Sequence, residues 1–211
     1  MKQRGISMIV VLVALLIIGF AAVALLRSSD TGTLVAGNLA FKKTALAAGD
    51  AGTETALTWL VANGSGVALY NDGVANGYYS TTAEGCDLTG SRTPANATDD
   101  VNWTGGTQPA NCNMAARTVT PPGVAAGYTV RYVINRVCNA AGDPNAVYAA
   151  DGVTPMICSG AGAGASEGST RGGASYGNMP LTGMSQTYYR ITSRIDGPRN
   201  TVRYVQAIVV L

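Results

Sequence analysis

Residues Ile6 to Leu26, ISMIVVLVALLIIGFAAVALL, contain no charged side chain; Lys2 and Arg4 precede the run and Arg27 closes it. Nothing else in the sequence limits the fold as strongly. At helical rise the run is about 31 Å long, enough to cross the hydrocarbon core of a bilayer. A cleaved secretory signal has a shorter apolar stretch, about 7 to 15 residues, although Ala22-Val23-Ala24 matches its small-residue cleavage pattern in form. After Arg27 no basic residue occurs until Lys42. The positive-inside rule therefore places the N-terminus in the cytoplasm and exports the rest.

The helical pattern continues past the run. From Leu34 to Leu60 there is no proline, and Val35, Leu39, Leu46, Ala56 and Leu60 form an apolar stripe at mixed three- and four-residue spacing. Leu34, Phe41, Ala45, Ala48 and Trp59 form a second stripe beside it. The centre, TALAAGDAGTETA, is rich in small residues that allow another backbone to lie close. Gly49 and Gly52 each cost roughly 1 kcal/mol of helix propensity, so packing must compensate. The intervening SSDTGT, residues 28–33, is poor helix material and predicts a bend or fraying.

From Asn63 to about Gly127 the sequence reads as loop, with turn signals at NGSG, NDG, NGYY and PPG. YTVRYVINRVC, residues 128–138, alternates Val130, Tyr132 and Ile134 against Arg131, Val133 and Asn135 and predicts a strand. QTYYRITSRI and TVRYVQAIVVL, residues 186–195 and 201–211, flank DGPRN and predict a hairpin. Tyr189, Ile191 and Ile195, with Tyr204, Ile208 and Val210, are expected to cover the helical stripe. The glycine- and serine-rich tract 159–178 predicts a surface loop. Its Gly160, Gly162 and Ala165 match a dinucleotide fingerprint only in form, because no helix pattern follows.

Composition narrows the chemistry. Histidine is absent, which removes the commonest general base and metal ligand. A formal charge of +2 with 12% charged residues offers no basic face for nucleic acid. Asp143, Asn145 and Asp151 lack the order of a calcium loop, so neither metal nor cofactor is expected. Cys86, Cys112, Cys138 and Cys158 are widely spaced without a CxxC pair, which points to two disulfides and an oxidising compartment. Three pairings are open. Cys86 with Cys112 and Cys138 with Cys158 is favoured because short closures are easiest where strand 128–138 ends at Cys138.

The order of basic head, glycine, apolar helix, amphipathic extension and small sheet resembles type IV pilins and their secretion-system relatives. RGISMIVVLVALLIIGFAAVALLR is similar to a class III signal, which implies cleavage by a prepilin peptidase between Gly5 and Ile6, with Ile6 a candidate for N-methylation. AGN at Ala36, Gly37 and Asn38, and GPRNTV beginning at Gly197, Pro198, Arg199 and Asn200, narrow the resemblance to the PilX group of minor pilins. It covers roughly the first 60 and last 24 residues; the middle carries no familiar motif. One departure stands out: the fifth residue after the implied cut is usually Glu in pilins, and here it is Val10.

The resemblance implies an α+β, pilin-like fold: a long N-terminal helix packed on a small antiparallel sheet with disulfide-tied loops. The organisation expected is a leader at 1–5, a transmembrane half-helix at 6–27, an amphipathic half at 28–62 and a loop-rich head at 63–211. The implied function is a non-enzymatic structural or assembly part of a type IV pilus, at its tip or in its priming complex. Its implied partners are major and other minor pilins, prepilin peptidase, the inner membrane and the assembly platform. The implied location is a single pass through the inner membrane with a periplasmic head, or the fibre after assembly. A type II secretion pseudopilin is the alternative machine. A tethered periplasmic enzyme is disfavoured because no nucleophile-base pattern converges.

Overall fold

A computed structural model describes residues 6–159 and 186–211, with only the backbone of Ile6 and Ser7. Gly5 and the rest of the leader, the Gly160-Gly162-Ala165 match and the loop tract beyond Ser159 lie outside the described residues. Helix α1 spans Ile6–Asn63 without a break. The chain divides into two units, Met1–Thr44 and Ala45–Leu211.

In the first unit the fraying expected at SSDTGT does not occur, and residues 28–33 stay helical. Thr31 Oγ1 donates to the carbonyls of Arg27 and Ser28, and Thr33 Oγ1 to that of Asp30. The hydroxyls are thus bonded within the helix rather than competing with its ladder from a non-helical turn, although such back-bonds do not themselves add helix stability.

The second unit sets the end of α1 against a five-stranded sheet: β1 Tyr78–Tyr79, β2 Arg117–Val119, β3 Thr129–Arg136, β4 Tyr188–Gly197 and β5 Thr201–Val210. The order is β1-β3-β4-β5, with β2 also paired to β3. The sheet is mixed rather than purely antiparallel, because β1 runs parallel to β3. A parallel neighbour needs a long crossover, and residues 80–128 supply one. Single-turn 3-10 helices at Val67–Leu69 and Val74–Asn76 lead from α1 to β1.

Val130, Tyr132 and Ile134 of β3 share a face with Tyr189, Ile191 and Ile195 of β4, as the register requires. That face packs on Ala45, Ala48, Ala56 and Leu60 of α1. The approach is close because the helix is thin there. A Cβ on Gly49 would lie 2.6 Å from Val205 Cγ2, and one on Gly52 would overlap Val130 Cγ1. Thr53 and Ser193 join the two layers through a hydroxyl pair at 3.1 Å.

Two expectations about this contact are corrected. Leu46 is 54% exposed, so of the stripe through it only Ala56 and Leu60 face the sheet, joined by Ala45 and Ala48 of the neighbouring stripe. On β5 the covering residues are Val205 and Val209, not Tyr204, Ile208 and Val210. Tyr204 faces the other side, where its ring meets Trp103 at 5.7 Å, and Ile208 is 68% exposed.

The far face of the sheet has its own core. Val133 and Tyr79 pack with Leu88, Val101, Trp103, Cys112 and Met114, all from the irregular chain before β3 or from β1. That chain folds around Asp87, whose carboxylate accepts the backbone N–H groups of Thr89, Gly90, Arg92 and Thr93. Burial acts to raise its pKa, but these four donors prevail and hold it below the ordinary value.

Candidate assembly surface

From Met8 to Leu26 every residue of α1 is exposed. The large apolar side chains in this stretch run from 49% exposed at Val13 to 74% at Phe20, so among the described residues nothing covers any side of the helix. The helix is long and apolar enough to cross a membrane. Val10 is 60% exposed on it and adds no charge. Ile6, on the far side of the implied cleavage bond, is the first described residue and is helical.

Ala36 and Asn38 are also exposed, and nothing lies within 4 Å of where a Gly37 Cβ would be. Among the described residues, nothing packs on the AGN tripeptide. The GPRN motif does have internal contacts. Gly197 closes the β4-β5 ladder against Thr201, and a Cβ there would come within 2.6 Å of the Tyr128 ring. Pro198–Asn200 form a 3-10 turn in which Arg199 and Asn200 take left-handed φ values of 57° and 60°. Asparagine tolerates that region better than arginine does. The loop is thus shorter than DGPRN, since Asp196 still pairs with Val202.

Disulfides join Cys86 to Cys112 and Cys138 to Cys158, the sequential pairing. The first ties down the loop that covers the far face of the sheet. The second lies just beyond β3, which ends at Arg136 rather than at Cys138. Asp143 and Asp151 are engaged in turns: Asp143 Oδ1 accepts the Asn145 N–H, and Asp151 accepts the N–H groups of Val153 and Thr154. Among the described residues no group of three or more His, Cys, Asp or Glu could hold a metal ion.

Alternation in the sequence places Arg136 on a strand but does not show what it does. Its side chain is fully buried, and its guanidinium donates to the carbonyls of Ser80, Leu69, Gly142 and Ala140 at 2.8 to 3.0 Å. It thereby fastens the chain on both sides of β1 and the loop after β3 to one point. Nor does the sequence mark Asp196 beyond its place in DGPRN. It bonds both Arg131 and Arg194, which stand opposite each other on β3 and β4 and would otherwise repel.

The exposed flank of α1 in the second unit borders an apolar groove of about 530 Å³, lined by Ala51, Thr55, Trp59, Pro121 and Pro122 among others. The first unit thus exposes a long apolar helix, and the second, separately, an apolar groove. In comparisons with known proteins, no family model, curated protein or solved structure matches this chain.

Proposed function

We propose that this chain is a minor pilin, processed at Gly5-Ile6, that enters a type IV pilus or the complex that primes it. The observation that carries the reading is the division of labour along α1. Its first half is apolar and uncovered on all sides, and its second half is thinned to small residues where the sheet lies on it. A membrane-resident helix that later packs among other helices needs the first property. A helix that also carries an exported domain needs the second. The free AGN motif supports the same reading, since its contacts would lie in another subunit.

Val10 refines the place in the fibre. In pilins the glutamate at that position is thought to meet the N-terminal amine of a neighbouring subunit in an apolar core, where an unpaired charge costs several kcal/mol. A chain with Val10 offers its own amine but neutralises no other. It fits a position with no subunit ahead of it, at the tip or in the initiating complex, and is scarce relative to the major subunit.

Intact mass or N-terminal sequencing of the membrane form should begin at Ile6; a start at Leu25 would instead reveal ordinary signal cleavage. Deletion should remove surface fibres and leave exoprotein secretion intact, and the opposite pattern would assign the chain to a type II machine. Immunogold labelling uniform along the shaft, at major-subunit abundance, would overturn the tip position.

A further inference from the structure

The sheet ends on β5, which has β4 on one side and, among the described residues, no strand on the other. The phase of its ladder is fixed at Leu211, whose N–H and C=O both bond to Thr187. The register is regular from there to the Gly197-Thr201 pair. Odd-numbered residues of β5 therefore bond to β4, and Val202, Tyr204, Gln206, Ile208 and Val210 turn their N–H and C=O groups outward.

This edge lacks the usual protection. No residue of β5 is buried. The strand contains no proline, glycine or lysine, and its pairing has no bulge. Ile208 is 68% exposed and Val210 44%. Arg203 is its only charged side chain and has no carboxylate partner among the described residues.

We propose that β5 is a docking edge for an extended segment of another protein, which joins the sheet as an additional strand. Five outward residues supply main-chain donors and acceptors, and side chains on alternate positions supply selectivity. The segment that fits carries a carboxylate beside Arg203 on one face and apolar side chains beside Ile208 on the other. A second copy of β5 fits less well, because the stretch from Thr201 to Leu211 has no acidic side chain to offer Arg203. The inference rests on the sheet edge and is independent of whether the chain enters a pilus.

The test uses the full chain in detergent and a short end-capped peptide of alternating Thr and Val with Glu in place of the central Thr. Amide hydrogen exchange should slow at Val202, Tyr204, Gln206 and Ile208 and remain unchanged at the intervening residues. A Lys in place of that Glu should weaken binding about tenfold. Ile208→Pro removes an outward N–H and no bond to β4, so it should abolish the protection without lowering the melting temperature. Ile208→Lys, which leaves the backbone intact, should do the same if the proline variant fails to fold. Exchange that does not change with peptide, or that changes equally in both variants, overturns the proposal. So does a free chain that is already dimeric with the even-numbered amides protected, which assigns the edge to a second copy.

Discussion

The two halves of α1 use the same secondary structure in opposite ways. From Met8 to Leu26 the large side chains are exposed in all directions, and in the first unit glycine is incidental: Gly19, Gly32 and Gly37 have nothing near them. From Ala45 onward the usual rule for a soluble helix is inverted. The buried positions are mostly Ala and Gly, while Leu46 and Val61 are more than half exposed. Burial of large side chains normally supplies most of a helix's tertiary stability. Here close approach substitutes for side-chain volume, and the large groups of Val130, Ile195 and Val205 come from the sheet. Hydrophobicity alone therefore does not locate the core of this chain; residue size does.

The contrast is broken most severely at Gly52. Gly52→Val should destabilise the second unit by about 3 kcal/mol, because the added methyl groups meet Val130. Gly37→Val, in open space, should leave that unit's stability unchanged. Both tryptophans, Trp59 and Trp103, lie in the second unit, so thermal or urea unfolding followed by their fluorescence reports on it alone. Ile17→Asp should do the reverse, weakening membrane insertion by about 2.5 to 3.5 kcal/mol while the tryptophan transition stays in place. Carbonate extraction and the melt together check this.

Reduction of the disulfides sharpens the comparison further, since both lie in the second unit. Each should contribute about 3 kcal/mol through loop constraint, and the helicity of the first half should not respond. Unfolding curves and circular dichroism with and without reductant measure the two effects. The smallest effect concerns Asp100. Burial, and then the carboxylates of Asp87 and Asp99, push its pKa up. A raised folded-state value means that the charge costs stability above the unfolded pKa of about 4. Asp100→Asn should therefore raise the melting temperature at neutral pH, and the gain should vanish below about pH 3.

Periodicity in the sequence reveals α1, β3 and the β4-β5 hairpin because each is long enough for its period to repeat. It does not decide which face of β5 turns inward. Val205 and Val209 alternate with Tyr204, Ile208 and Val210, so both parities are apolar, and only pairing with β4 settles the choice. Two-residue β1 has no period at all, and its parallel partner lies far along the chain. At SSDTGT propensity argued for a bend or fraying, whereas the segment stays helical and the hydroxyls of Thr31 and Thr33 bond within it. Of the candidate site residues, the four cysteines were legible because loop closure favours near neighbours. Arg136 was not, since its partners are main-chain atoms that leave no mark in the sequence.

That last property has an evolutionary side. Every acceptor of Arg136 is a peptide carbonyl, at Leu69, Ser80, Ala140 and Gly142, and a carbonyl is present whatever side chain stands at the position. The network fixes the route of the surrounding loops without reading their letters. Apart from positions that need a special backbone conformation, such as Gly142 with its φ of 121°, those loops are free to drift in sequence. One arginine then preserves the architecture while the surface above it diversifies.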